Sequence, residues 1–211
     1  MKILVIGASQ GTGALAVREA LARGHSVTAF ARSPDRLKLE SPNLVKQKGD
    51  FHSAASVQAA VPGHDAVIIT ASANKLSAFK DNPHYFSEGT RLVIEAMHAQ
   101  RVRRLAVLSA LGTGDSKQLL PLLVRLLIVS FLLKRPFQDH ERQEALTRDS
   151  GLDWVIALPG RLTDGPARHQ YERATRIESI PSTISRADVA HFLVDAVDQE
   201  RWVRQSVLIG G

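Results

Sequence analysis

The segment Gly7-Ala8-Ser9-Gln10-Gly11-Thr12-Gly13 follows an apolar run at residues 2–7 and leads straight into a helix-compatible run at residues 12–23. No other feature restricts the possible folds as sharply. Glycines at such a junction permit a tight turn and a close backbone approach, so a diphosphate can rest on the amides of the helix start, where the dipole also favours an anion. A plain strand-to-helix turn is the competing reading. The motif stands in the strand–turn–helix setting that dinucleotide binding requires. Gly7, Ser9, Gln10, Gly11, Thr12 and Gly13 are the expected pyrophosphate-binding residues.

Further apolar runs of strand length recur at residues 26–31, 43–48, 66–71, 105–109, 154–158 and 206–209. Helix-compatible stretches separate them at 53–60, 83–100, 116–150 and 186–198. Continuous apolar runs suit strands covered on both faces, and their alternation with helices predicts an α/β fold, a single-domain Rossmann fold with a doubly wound parallel sheet. The Gly-, Pro-, Arg- and His-rich stretch from Pro159 to Ser185 reads as loops, a small C-terminal elaboration on the substrate side. With no low-complexity linker and no repeat period, residues 1–211 read as one domain.

The run at residues 26–31 should end beside an adenosine ribose, where an NAD-preferring site usually carries a carboxylate. Here it continues into Arg32-Ser33-Pro34-Asp35-Arg36. Arg32 and Arg36 can clamp a 2′-phosphate with Ser33 adding a hydroxyl, which favours NADP(H) over NAD(H). A solvated turn in which Asp35 neutralises Arg36 is the alternative. Asp50 and Phe51, after the third strand, can receive the adenine, or Asp50 can cap the next helix.

The absence of cysteine excludes a disulfide framework, a thiolate nucleophile and Cys-ligated metal, and makes a cytoplasmic location the expectation. The first apolar run is too short for a signal-peptide core. A net charge of +6 is spread along the chain without an aromatic-interleaved basic stripe, so small anionic molecules are expected as partners rather than nucleic acid. The eight histidines form no metal-ligand motif, and no Gly-x-Ser-x-Gly nucleophile elbow is present.

The spacing G-x-x-x-G-x-G resembles that of the short-chain dehydrogenase/reductase superfamily. Lys48-Gly49-Asp50, Gly63-His64-Asp65-Ala66-Val67-Ile68, Ser87-Glu88-Gly89-Thr90-Arg91 and Asp139-His140-Glu141-Arg142 add to it, as do Ser150-Gly151-Leu152-Asp153-Trp154-Val155 and Ile184-Ser185-Arg186-Ala187-Asp188-Val189-Ala190. In this order they resemble the NmrA-like, atypical members, and among those the flavin reductase and biliverdin-IXβ reductase group. The resemblance implies an NADPH-bound Rossmann domain with an open pocket for a planar, conjugated acceptor. It implies Ala71 and Ser72 along the cofactor, Pro159, Gly160 and Arg161 facing the carboxamide, Ser109 near the nicotinamide, and His140 on the flanking helix. Two departures stand out. That group generally has G-x-x-G-x-x-G in its loop, and this chain carries an unusually apolar stretch before His140.

Carbonyl reduction in the superfamily uses Tyr-x-x-x-Lys, because the nascent alkoxide needs a proton donor made acidic by a nearby lysine. Gly89 follows Tyr85 at the fourth place and Thr175 follows Tyr171, so neither tyrosine qualifies. A delocalised acceptor, such as a flavin, quinone or tetrapyrrole, spreads the incoming charge and can take its proton from water, leaving positioning as the main demand. Ser109 would orient the carboxamide or acceptor, and His140 or Arg161 would stabilise developing charge. A non-catalytic NADP(H)-binding sensor of the NmrA type would lack Tyr-x-x-x-Lys as well. The apolar stretch at residues 119–133 is too short to span a membrane and is broken by Arg125, so it reads as a lid for a lipophilic acceptor, a core helix or an interface in a monomer or homodimer.

Overall fold

The computed structural model describes residues 1–72, 79, 82–119, 133–176 and 181–211. The chain runs β1 (Lys2–Ile6), α1 (Gly11–Ala22), β2 (Ser26–Ala31), β3 (Leu44–Lys48), α2 (Ala54–Ala60), β4 (Ala66–Ile69) and α3 (Tyr85–Gln100). It continues through β5 (Arg104–Leu108), α4 (Lys134–Asp149), β6 (Asp153–Pro159), β7 (Arg161–Thr163), β8 (Glu172–Ala174), β9 (Thr183–Ser185), α5 (Arg186–Asp198) and β10 (Gln205–Gly210).

The main sheet has the order β3-β2-β1-β4-β5-β6-β10-β8 and is parallel except for β8, which runs antiparallel to β10 at its edge. The expected Rossmann architecture is present. The stretch after Pro159 departs from a plain loop region, because β7 and β9 form a small parallel pair of their own and β8 extends the main sheet. Three-residue strands are too short to show a period of two, which is why they are silent in the sequence.

Alternation along each strand feeds two cores. Ile3 and Val5 of β1 face one side with Val17 of α1 and Phe192 and Leu193 of α5. Leu4 and Ile6 face the other with Val93 and Met97 of α3. Both sides of the sheet are thus sealed, as the continuous apolar runs require. On the second side α4 packs against α3. The chain leaves β1 for β2 and β3 on one side and returns to β4 on the other, so the order reverses between β1 and β4. That is where ligands enter sheets of this kind, beyond the carboxyl ends of the strands.

Residues 120–132 lie outside the described residues, and with them almost all of the apolar stretch at 119–133. No helix among the described residues is long and apolar enough to cross a membrane.

Candidate functional site

The glycine loop is shaped by backbone contacts. Gly7 has φ of +88°, and a Cβ there would stand 2.7 Å from the Ala71 nitrogen. Gly13, in the first turn of α1, would place a Cβ 2.3 Å from the Gly7 carbonyl oxygen and 2.5 Å from Thr70 Oγ1. Thr70 is held in turn by its own hydroxyl on the Ile6 carbonyl, at 2.9 Å. The start of α1 is therefore pressed onto the ends of β1 and β4 as only glycine allows. Gln10 precedes the helix without a side-chain cap on it, and the first turn holds no acidic residue. First-turn amides have no intrahelical acceptor, so this end is suited to an anion.

A cleft of about 640 Å³, counted to its open mouth, begins at this loop. Its walls include Gly7, Ser9, Gln10, Arg32, Ser33, Arg36, Asp50, Phe51, Ala71 and Ser72. Ten residues named from the sequence as cofactor-binding candidates thus share one groove, although they follow four different strands. Gly11, Thr12 and Gly13 lie at the α1 start beside it, with Thr12 and Gly13 buried. Arg32 and Arg36 are exposed, and neither has an ion-pair partner among the described residues. Asp35 does not neutralise Arg36. Ser53, not Asp50, caps α2, through its Oγ on the Ser56 amide at 3.3 Å. Asp50 accepts the His52 amide at 3.0 Å, has His52 Nδ1 3.5 Å from the same oxygen, and keeps a half-exposed side chain.

Of the wall residues beyond these ten, Tyr85 is the one that brings a polar side chain. Tyr85, at the first turn of α3, lines the groove and donates its hydroxyl to the Ser72 carbonyl at 3.4 Å. Its ring meets that of His52 edge-on at 4.4 Å. Burial pushes its phenol pKa up, against the pull of Arg32, so it remains a neutral donor. Rejecting it as half of a Tyr-x-x-x-Lys pair hid this other position. The Pro83-His84 punctuation before a helix start is the signal that marks it.

Ser109 follows β5 and is buried. The Ser109 and Leu111 amides donate to the Ala157 and Pro159 carbonyls, which continues the β5–β6 register and sets Ser109 beside Leu158. Its Oγ donates to Glu144 Oε1 at 2.6 Å. Glu144, with a side chain only 1% exposed, also receives the Thr113 hydroxyl, and its Oε2 takes Arg148 Nη2 at 2.7 Å. A carboxylate has no proton to give, so Ser109 has committed its one proton and presents only lone pairs elsewhere. His140, one turn before Glu144, does not join this network. Its ring stacks on Phe86 at 3.9 Å and its Nδ1 meets Gln143 Oε1 at 2.9 Å. Burial lowers its pKa, so it stands neutral between α3 and α4.

Pro159, Gly160 and Arg161 stay outside the groove walls. The Pro159 carbonyl accepts the Leu111 amide at 2.8 Å, and the Arg161 amide donates to the Ser182 carbonyl at 2.8 Å. They tie the turns after β5 and β6 to the strand pair β7–β9. No trio of potential metal-ligating side chains occurs among the described residues.

Comparison with known proteins agrees with this geometry. A family described as NAD(P)H-binding matches residues 7–200. An uncharacterized chloroplastic protein of Arabidopsis thaliana is 25% identical, over 94% of this chain and 72% of that protein. Among solved structures, a short-chain dehydrogenase/reductase from Veillonella parvula in complex with NADP has a TM-score of 0.84 at 16% identity, covering 100% of this chain and 94% of that one. An anaerobillin reductase from Escherichia coli O157:H7 has a TM-score of 0.79 at 23% identity, covering 100% and 97%. With the matched segment running from the first glycine of the loop to just past α5, the chain belongs to the NAD(P)H-binding family.

Proposed function

We propose that the chain is an NADPH-dependent reductase whose acceptor is a planar conjugated molecule such as a flavin, quinone or tetrapyrrole, acting as a single cytoplasmic domain. The observation that carries this reading is the groove itself. It joins the start of α1, fit for a pyrophosphate, to two exposed guanidinium groups that have no ion-pair partner among the described residues. The residues fit the dinucleotide: Gly7 and Gly13 leave no room for a Cβ, Ser9 and Gln10 border the helix start, and Arg32, Ser33 and Arg36 suit a 2′-phosphate. Asp50, Phe51, Ala71, Ser72 and Tyr85 would enclose the adenosine. When bound, the reduced nicotinamide supplies the hydride.

The remaining residues position rather than protonate. Ser109, its proton held by Glu144, would accept an N–H of the carboxamide and fix the ring's orientation. The neutral His140, packed on Phe86, would hold α4 against α3 behind the site. With no Tyr-x-x-x-Lys pair, proton delivery would fall to solvent, which a delocalised acceptor tolerates.

Fluorescence titration with NADPH and NADH, followed by an acceptor panel read at the nicotinamide absorbance, tests the proposal. The likeness to an anaerobillin reductase is the reason for including tetrapyrroles. Tighter NADPH binding and turnover with at least one planar acceptor are expected. Arg32→Ala and Arg36→Ala should each weaken NADPH by about 1.5–3 kcal/mol, as for loss of a charge-assisted bond, and leave NADH much less affected. Tight binding without oxidation across the panel would point to a sensor instead, and equal losses for both nucleotides would remove the 2′-phosphate assignment.

A further inference from the structure

Beyond the groove lies a second cavity of about 850 Å³, also counted to its mouth, with which it shares no wall residue. Thr113, Gly114 and Ser116 from the turn after β5, Glu144 and Arg148 of α4, Leu158, Leu208, Ser206, Thr175 and Arg176 line it. Its interior volume of about 400 Å³ is in the range that accommodates a small ligand. The turn is a built wall: the Gly112 amide donates to Ser116 Oγ at 2.9 Å, and that hydroxyl donates to the Thr113 carbonyl at 2.7 Å.

Ser109 stands beside the second cavity. It neighbours Leu158, a wall of that cavity, and follows β5 at the carboxyl end of the sheet, where the dinucleotide groove also opens. Adjacent strands are about 4.8 Å apart. Glu144 completes the link, since it lines the cavity and holds the Ser109 hydroxyl.

The charges of the cavity are uneven. Glu144 is the carboxylate in the wall, and both of its oxygens are occupied, by Ser109, Thr113 and Arg148. Arg148 is fixed by that bond and by a second one to Ser206 Oγ at 3.2 Å, yet its side chain is 42% exposed. Arg176 is exposed and has no ion-pair partner among the described residues. Leu158 and Leu208 supply an apolar floor. The arrangement is that of a site for a molecule with an apolar body and an anionic edge, because a guanidinium offers a fork of donors matched to carboxylate or phosphate oxygens.

We propose that this cavity is the acceptor chamber and that it selects acceptors carrying a carboxylate or phosphate, which Arg176 and Arg148 receive at its mouth. This rests on the reductase reading for the word acceptor, but the anion site itself stands on the cavity alone. The test uses matched pairs: riboflavin against FMN for phosphate, and a neutral naphthoquinone against its carboxylated analogue. Binding is measured on the NADP⁺-saturated protein by flavin fluorescence and calorimetry, and KM is measured with NADPH. The anionic member of at least one pair should bind about tenfold or more tightly, the size of one charge-assisted bond. That preference should collapse towards unity in Arg176→Ala and invert in Arg176→Glu, changes at an exposed side chain that leave the fold intact. Equal affinity within both pairs in the wild type, or a preference indifferent to Arg176, would overturn the proposal. A preference in binding that depends on Arg176 but comes without NADPH oxidation would uphold the anion site and defeat the reductase reading, so the two failures are distinguishable.

Discussion

Ser109 is a hydroxyl whose direction is set by its neighbour. Glu144 Oε1 takes its proton at 2.6 Å, which leaves Oγ able to accept and unable to donate. Such a group is suited to a carboxamide N–H and is a poor partner for developing negative charge. Ser109→Ala should therefore weaken NADP⁺ by about 0.5–1.5 kcal/mol, one ordinary hydrogen bond. It should barely change affinity for the 3-acetylpyridine analogue, in which a methyl replaces the amino group. Fluorescence titrations of both nucleotides check this, and an equal loss for the two would show that the serine acts through structure alone. Sequence reading reached Ser109 but not its partner, because residues 35 apart meet only through the packing of α4 on the sheet. The pairing of Glu144 with Arg148, four residues on in the same helix, is local and legible.

At the scale of elements, the β1–α1 unit carries the most information per residue. Gly7 and Gly13 are needed for different reasons: Gly7 for its positive φ and for the closeness of the Ala71 backbone, Gly13 for contact between the helix and the Gly7 carbonyl. The neighbours of Gly13 include backbone that cannot rotate away. Gly13→Ala should cost about 1–3 kcal/mol, the usual penalty for overpacking, and weaken NADPH because the amides of the first turn shift. Gly165 is the control, since a Cβ there meets nothing within 4 Å and its φ is not positive. Gly165→Ala should be neutral or stabilise by about 0.4–1 kcal/mol through the unfolded chain. Urea midpoints measure both; matching shifts would refute the contact argument. Helices with strong apolar faces, such as α3 and α5, were readable to within a few residues. The stretch 116–150 was not, because its apolar first half shows no helical period. The described part contains only a short 3-10 turn at Gly114–Leu119 and then α4 at Lys134–Asp149. That turn supplies the wall of the second cavity, which no local pattern announced.

For the whole molecule, the sheet separates two cores, and beside each lies a histidine whose pKa burial lowers. His140 lies on the α3–α4 side against Phe86. His191, on α5, takes part in a 2.9 Å bond with the Tyr171 hydroxyl, and its pKa is lowered first by burial and then by Arg23. The doubly wound parallel sheet followed from the continuous apolar runs and their alternation with helices, but its strand order did not, nor did the surroundings of His140 and His191, since a single histidine carries no period. Its pH dependence follows. In the unfolded chain both imidazoles take up protons below a pH of about 6.5, while the folded state resists, so the unfolded state binds more protons and stability rises with pH. The contribution is fully present above about 6.5 and is lost as the pH falls from there towards the lowered folded values. Urea midpoints between pH 7.5 and 5 should decline accordingly, with a slope of at most about 1.4 kcal/mol per pH unit for His140 and a smaller one for the partly buried His191. Because the two sites sit on opposite faces of the sheet and share no partner, His140→Gln and His191→Gln should each remove part of the slope, and the double variant should remove the sum. A slope unchanged in the double variant would show that neither imidazole carries the acid sensitivity.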